Sequence, residues 1–284
     1  MLNWFPGHMA AARREIGKAM PKIDVVIEVL DARIPYSSGN PLVAELRGDR
    51  PCIQILNKED LADPPVTAEW LQHFEARPGV LALAHQQNTP RLDQRLLARV
   101  KSLVPAKRNG AVEAMIVGIP NVGKSTLINA LCGRAIAKTG NKPAITRHQQ
   151  RVKVGRDLVL WDTPGFLWPR LSPAVCGYRL AVTGAISDRV VDAAEIAWFA
   201  VRFLAERYPE RLRATYDLET LPEGEEALID AIGRRRGHLR KGGVVDLERA
   251  SNALLRDLTS GALGPLSLET PADCGLGEAG SAEG

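Results

Sequence analysis

Gly118-Ile119-Pro120-Asn121-Val122-Gly123-Lys124-Ser125 sets two glycines, a lysine and a hydroxyl at the spacing G-x-x-x-x-G-K-S. A loop of this kind turns its backbone N–H groups toward phosphates, sends the lysine to the β- and γ-phosphates and offers the hydroxyl to Mg²⁺. Asn121, Val122, Gly123, Lys124, Ser125 and Thr126 are therefore the expected nucleotide contacts. The apolar run Ala114–Val117 leads into the loop and the helical segment Thr126–Leu131 leaves it. That context, strand then loop then helix, leaves little room for an ordinary glycine turn.

Two further segments extend the chemistry. Leu158–Trp161 ends in Asp162-Thr163-Pro164-Gly165, a D-x-x-G in which Asp162 would hold Mg²⁺ through water and the Gly165 amide would sense a γ-phosphate. Alone, D-T-P-G reads equally well as a turn. Thr146, lying between the two motifs, stands where a switch threonine would close on Mg²⁺, although Thr139 competes for the role. Upstream, Cys52–Leu56 leads into Asn57-Lys58-Glu59-Asp60, an N-K-x-D. A carboxylate at Asp60 accepts from guanine N1–H and the 2-amino group, whereas adenine offers neither donor and leaves the acid unpaired. GTP is thus favoured over ATP, with Asn57 bracing the base and phosphate loops and the Lys58 stem covering the ring. In isolation N-K-x-D would be a helix cap and surface turn; beside G-K-S and D-x-x-G that reading loses its force.

These motifs need a scaffold. Strand-like runs at Val25–Leu30, Cys52–Leu56, Val80–Ala84, Ala114–Val117 and Leu158–Trp161 alternate with helical patterns such as Arg91–Val104, which predicts a mostly parallel sheet covered on both faces. Beyond about Pro173 the strand signal stops, and Asp192–Arg207, Glu225–Ile232 and Asp246–Leu258 read as helices. The motif order is unusual. N-K-x-D precedes G-K-S and D-x-x-G, yet all three follow strands, where an open α/β sheet binds ligand. Because domain ends usually lie close together, rejoining them and opening the chain elsewhere preserves such a site. The expected fold is an α/β P-loop GTPase domain, circularly permuted (G4-G5-G1-G2-G3 order), over 1–172. A small all-helical C-terminal domain is expected over 173–264, and a disordered acidic tail over 265–284.

Composition sets outer limits. The chain has 284 residues, 45% hydrophobic and 25% charged, so global disorder is excluded. Its apolar runs are too short for a membrane helix, and no long apolar signal core opens the chain. The four cysteines stand far apart with no C-x-x-C pair, which suggests neither a disulfide framework nor a zinc knuckle. Net charge is only +4, but it is unevenly spread. Residues 134–156 hold seven bases and no acid, a second cluster runs from Arg234 to Lys241, and the first 22 residues add Arg13, Arg14, Lys18 and Lys22 beside Trp4, Phe5 and His8. Any one basic run reads as a solvated face; three in one chain favour a polyanion, RNA above all.

At this point the chain resembles the ribosome biogenesis GTPase A, or YlqF-type, family from about Asn3 to Gly264. The resemblance is carried by Trp4-Phe5-Pro6-Gly7-His8-Met9, Asp31-Ala32-Arg33-Ile34-Pro35, the permuted nucleotide motifs, and Gly242-Gly243 with Asp246, Leu254, Leu255, Gly261 and Gly264. It implies a GTPase that binds a late large-ribosomal-subunit precursor and its rRNA and is released on hydrolysis; the short apolar runs read as a soluble, cytoplasmic chain, and a monomer off the ribosome is expected. Its helical domain would resemble an RNA-binding antiterminator module. The resemblance also implies Mg²⁺ and K⁺ beside GTP/GDP, with Asn121 holding K⁺, unless that asparagine is simply a loop residue. Phe166 follows Gly165 where many GTPases place a water-orienting glutamine, so intrinsic turnover is expected to be slow. His8 is the candidate for the missing group, and a base-stacking or merely exposed role fits it equally. Lys124, Thr146, Gly165 and His8 are accordingly the expected catalytic set.

Two departures stand out. Ala144 replaces the glycine usual in the family's switch segment, and the base-backing loop reads Ala84-His85 without the family's commonest pattern. Asp31 and Arg33 are expected to fix the start of a loop beside the nucleotide, and a structural ion pair explains them as well as catalysis does. A P-loop ATPase or kinase is opposed by N-K-E-D, and an RNA-binding module with GTP as a structural ligand remains the rival reading. The absence of an Arg/Ser-rich leader before Trp4 favours a bacterial source over an organellar one.

Overall fold

Val25–Asp31 (β1) is buried at every position, including Glu28 and Asp31, and Cys52–Asn57 (β2) likewise. Uninterrupted burial marks interior strands of a parallel sheet with both faces covered. The computed structural model describes residues 6–87, 89–104, 110–133, 150–168, 173–186 and 192–276, with side chains from residue 13 onward. Thr146, Thr139 and the bases from Arg134 to Arg147 lie outside the described residues, as do Trp4, Phe5 and 277–284. His8 falls within helix α1 (Pro6–Ala19), with its side chain outside the description.

The remaining strands are β3 (Val80–His85), β4 (Val112–Gly118), β5 (Gln150–Val154) and β6 (Leu158–Asp162). They form one sheet in the order β3-β2-β1-β4-β6-β5, parallel except for the antiparallel pair β5–β6. β5 is the strand that the sequence reading missed. Its residues alternate, with Val152 and Val154 inward and Arg151 and Lys153 outward, as a half-covered edge requires. Around the sheet lie α2 (Pro35–Ser38), α3 (Pro41–Arg47), α4 (Pro64–Glu75), α5 (Leu92–Leu103) and α6 (Lys124–Cys132). In register, Asp31 stands beside Asn57 and Asn57 beside His85, so three strands end level with one another.

The chain divides into two units, Met1–Leu171 with Glu269–Gly284, and Ser172–Leu268. The second is all-helical among the described residues: α7 (Val175–Val182), α8 (Ala193–Arg207), α9 (Pro209–Tyr216), α10 (Glu225–Arg235) and α11 (Leu247–Ser260). α8 buries Ile196, Ala197, Ala200, Val201 and Leu204, one stripe at helical spacing. Asp192 caps α8 by accepting from the Ala194 amide, Asp246 caps α11 by accepting from the Arg249 amide, and Gly261 ends α11 at φ 81. Between α10 and α11 the packing is close enough that a Cβ on Gly233 would lie 2.4 Å from Val245 Cγ1.

The expected disordered tail is corrected for residues 265–276. Leu266 and Leu268 are buried in the helical unit, while Glu269 is 1% exposed and Cys274 and Leu276 pack against the core of the nucleotide unit. The segment is poor in bulky residues overall, but the alternation Leu266-Ser267-Leu268 spends its few apolar groups inward. Tyr208 holds this turn by donating its hydroxyl to the Ser267 carbonyl and accepting from the Ser267 amide.

Candidate functional site

The phosphate loop is closed by contacts that only glycine tolerates. Gly118 has φ 155, and a Cβ there would meet the Val29 carbonyl at 2.5 Å. Gly123 has φ 103, and a Cβ would lie 2.2 Å from Asn57 Nδ2. In that space Asn57 donates to the Val122 carbonyl at 2.7 Å, tying the N-K-E-D loop to the phosphate loop across 65 residues of sequence. The bracing role expected of Asn57 is thus visible as one hydrogen bond. Asn121 adopts φ 58, a left-handed conformation that asparagine accommodates better than most residues.

Lys124 opens α6 and is buried, its ammonium donating to the carbonyls of Gly118 (3.0 Å) and Ile119 (2.9 Å). Burial pushes its pKa down to about 8, with the Asp162 carboxylate opposing. A Cβ on Gly165 would stand 2.9 Å from Lys124 Nζ and 3.0 Å from Pro120, so the D-x-x-G turn crosses directly over the phosphate loop. Asp162 is 2% exposed at the end of β6, and the buried Thr163 hydroxyl donates to the Ile116 carbonyl at 2.7 Å, fixing that turn to β4. Ser125 is half-buried and Thr126 exposed beside them. Phe166, Leu167 and Trp168 are all buried, and Phe166 belongs to the same apolar cluster as Ile16, Met20 and Leu30.

On the base side, Lys58 sits at φ 62 and donates to Asp31 Oδ2 at 2.8 Å. Arg33 grips the same carboxylate through Nε and a terminal nitrogen, both at 2.9 Å. Burial alone would raise the Asp31 carboxyl; Arg33 and Lys58 together hold it well below the usual carboxylate range. Asp60 is exposed, and its charge favours the protonated forms of both Arg33 and His85. His85 is buried, with Nδ1 3.1 Å from the Thr89 hydroxyl; burial and then Arg95 lower its pKa despite Asp60. From the sequence, Asp31 and Arg33 are expected to fix the start of a loop beside the nucleotide; the structure pairs them and adds Lys58, so the D-A-R-I-P turn supports the N-K-E-D loop. Spacing could not reveal this, because the partners meet through strand register.

Asn57, Gly123, Lys124, Asp162 and Gly165 therefore converge at the carboxyl ends of β2, β4 and β6, with Lys58 and Asp60 at one flank. Glycines held where a Cβ has no room, a buried lysine and a buried carboxylate suit a polyphosphate with its cation. The basic cluster of the helical unit is differently arranged. Arg234 pairs with Asp230, Arg235 with Asp217, Arg236 with Asp257 and Arg240 with Asp246, at 2.6–3.0 Å. A polyanion docking there would exchange these acids for phosphates.

A family model described as 50S ribosome-binding GTPase matches residues 113–215. A "Ribosome biogenesis GTPase A" of Bacillus licheniformis is 47% identical over 283 residues, covering 96% of this chain and 99% of the relative. One of Thermotoga maritima is 30% identical over 96% of this chain and 95% of its own length. Among solved structures, a GDP-bound YlqF has a TM-score of 0.69 at 27% identity, covering 92% of this chain and 100% of its own.

Proposed function

The chain belongs to the ribosome biogenesis GTPase A family, and from that premise we propose that it binds a late precursor of the large ribosomal subunit through rRNA and leaves it on GTP hydrolysis. It is a guanine-nucleotide-binding GTPase of ribosome assembly with a circularly permuted P-loop domain. The observation that carries the finer reading is the crossing of the D-x-x-G turn over Lys124 and Pro120. Whatever occupies the phosphate loop must touch the very segment that leads toward the helical unit.

In this reading Asp60 accepts from the guanine edge, Asn57 keeps the two loops in register and Val122 with Thr126 borders the nucleotide. Lys124 exchanges its two carbonyl acceptors for phosphate oxygens, and the Gly165 amide meets the γ-phosphate. Ser125 and Asp162, with Thr146, would hold Mg²⁺, and the carboxamide oxygen of Asn121 suits K⁺. Bound there, the cations offset negative charge developing on the phosphate oxygens. Phe166 is committed to the core and offers water no hydrogen bond, so basal turnover is slow until the ribosomal partner supplies or orders the missing group, with His8 as its candidate. No helix among the described residues is long and apolar enough to cross a membrane. The protein works in the cytoplasm and is a monomer off the ribosome.

The test is GTP hydrolysis in K⁺ and in Na⁺ buffer, with and without large subunits, for the unaltered protein and His8→Ala. Strong stimulation by subunits, dependent on K⁺ and lost in His8→Ala, is expected. Tight GTP binding with no condition raising turnover would favour the second reading, GTP as a structural ligand, which the buried Phe166 supports.

A further inference from the structure

A polar cluster lies behind the N-K-E-D loop, built on a residue from the far end of the chain. The Glu269 carboxylate accepts from the Ser37 amide at 2.8 Å and from the Ser37 hydroxyl. Its backbone carbonyl accepts from the Trp70 indole at 3.2 Å, so the residue is held from two sides. Ser37, fully buried, lies in the single turn of α2, and its neighbour Ser38 accepts from the Asp31 amide at 3.0 Å. Asp31 in turn holds Lys58. The far end of this stretch is also anchored: Asn40 donates through Nδ2 to the Phe166 carbonyl at 3.2 Å and through its amide to Glu28 at 3.2 Å. Segment 31–40 is thus anchored on Lys58 of the N-K-E-D loop, on Glu269, on Glu28 of β1 and on the turn after D-x-x-G.

We infer that Glu269 is a positioning residue for guanine recognition: by pinning α2 it fixes the Asp31 carboxylate, and through it Lys58 and the loop that presents Asp60. The inference rests on the assignment of Asn57, Lys58 and Asp60 to the base. Burying a carboxylate is costly unless its acceptor sites are filled, and here each oxygen accepts from Ser37, whose neighbour Ser38 supports the backbone of Asp31. A clamp needed for packing alone could be apolar, since Trp70, which bonds the Glu269 carbonyl, belongs to the buried apolar cluster.

Calorimetric titration with GDP and with inosine diphosphate, which has the same phosphates and lacks the 2-amino group, tests this on Glu269→Gln, Ser37→Ala, Lys58→Ala and the double variant Glu269→Gln/Lys58→Ala. Glu269→Gln should weaken GDP binding about fivefold and inosine diphosphate about twofold, shrinking the preference between them. Ser37→Ala should repeat that pattern, and Glu269→Gln should add nothing in the Lys58→Ala background. Equal weakening of both nucleotides, additive effects in the double variant, or a lowered Tm with unchanged affinities would overturn the inference and leave a structural clamp. An unaltered protein that shows no preference for GDP over inosine and adenosine diphosphates would remove the base assignment itself, and the inference with it.

Discussion

The nucleotide unit and the helical unit both carry many charges but place them oppositely. The nucleotide unit buries Asp31, Arg33, Lys124 and Asp162, each within reach of an opposite charge or a carbonyl. The helical unit buries Arg179 but keeps the four arginine–aspartate pairs of its basic cluster at the surface, with the arginine side chains 41–62% exposed, and packs its helices through apolar stripes. Buried charge contributes little net stability, yet it fixes geometry because each group has few alternatives. Surface charge fixes little and stays free to change partners. One half is built for a defined ligand geometry, the other for an adaptable polar face.

The sharpest way to break this contrast is Asp31→Asn, which leaves Arg33 buried without a full counter-charge. The expected loss is about 3–5 kcal/mol in denaturant unfolding of the nucleotide unit. Since the Asp31 carboxyl is lowered below its ordinary 3.8, its stabilisation is complete above that pH and disappears as pH falls through the folded-state value. The penalty of the variant should therefore hold from neutral pH down to about 4 and shrink below it. An unfolding profile with a constant difference down to strong acid would contradict the assignment.

Next in size, Gly123→Ala drives a methyl into Asn57 Nδ2 at a φ that alanine resists. GDP affinity should fall on the order of 100-fold by titration, with the helical unit's stability untouched. Within the helical unit the sensitive position is apolar: Gly233→Ala crowds Val245 and should cost about 1–3 kcal/mol. The smallest effect belongs to Arg235→Gln, whose exposed pair with Asp217 should be worth about 0.5 kcal/mol or less and fade in salt. A large, salt-insensitive loss there would erase the distinction between the units.

What the sequence made legible follows the same division. Contiguous motifs were readable because their chemistry is local: the phosphate loop, D-x-x-G and N-K-E-D each follow the strand whose apolar run announced it. β5 was missed because an edge strand shows only two inward valines among bases. The Lys58–Asp31 and Asn57–Val122 bonds depend on strand order, which spacing along the chain does not encode. Glu269 escaped because composition, the signal used for the tail, averages over a segment in which only the short run 266–269 is buried among the described residues. The pairing of Arg235 and Arg236 with acids was hidden because Asp217, which ends α9, and Asp257 of α11 lie far from them along the chain.

The strand order also has a consequence during synthesis. β1, β2 and β3 are neighbours in the sheet and leave the ribosome before any part of the phosphate loop, so a nascent chain carries the strands of the N-K-E-D side before it has the segment that would hold phosphate. β4 then adds to the open edge of β1, bringing Gly123 against an Asn57 already in place. Ser37 waits longest, for a glutamate translated 232 residues later. A chain cut short between β6 and Glu269 would carry the phosphate loop and all six strands of the sheet and lack the Glu269 bond to Ser37.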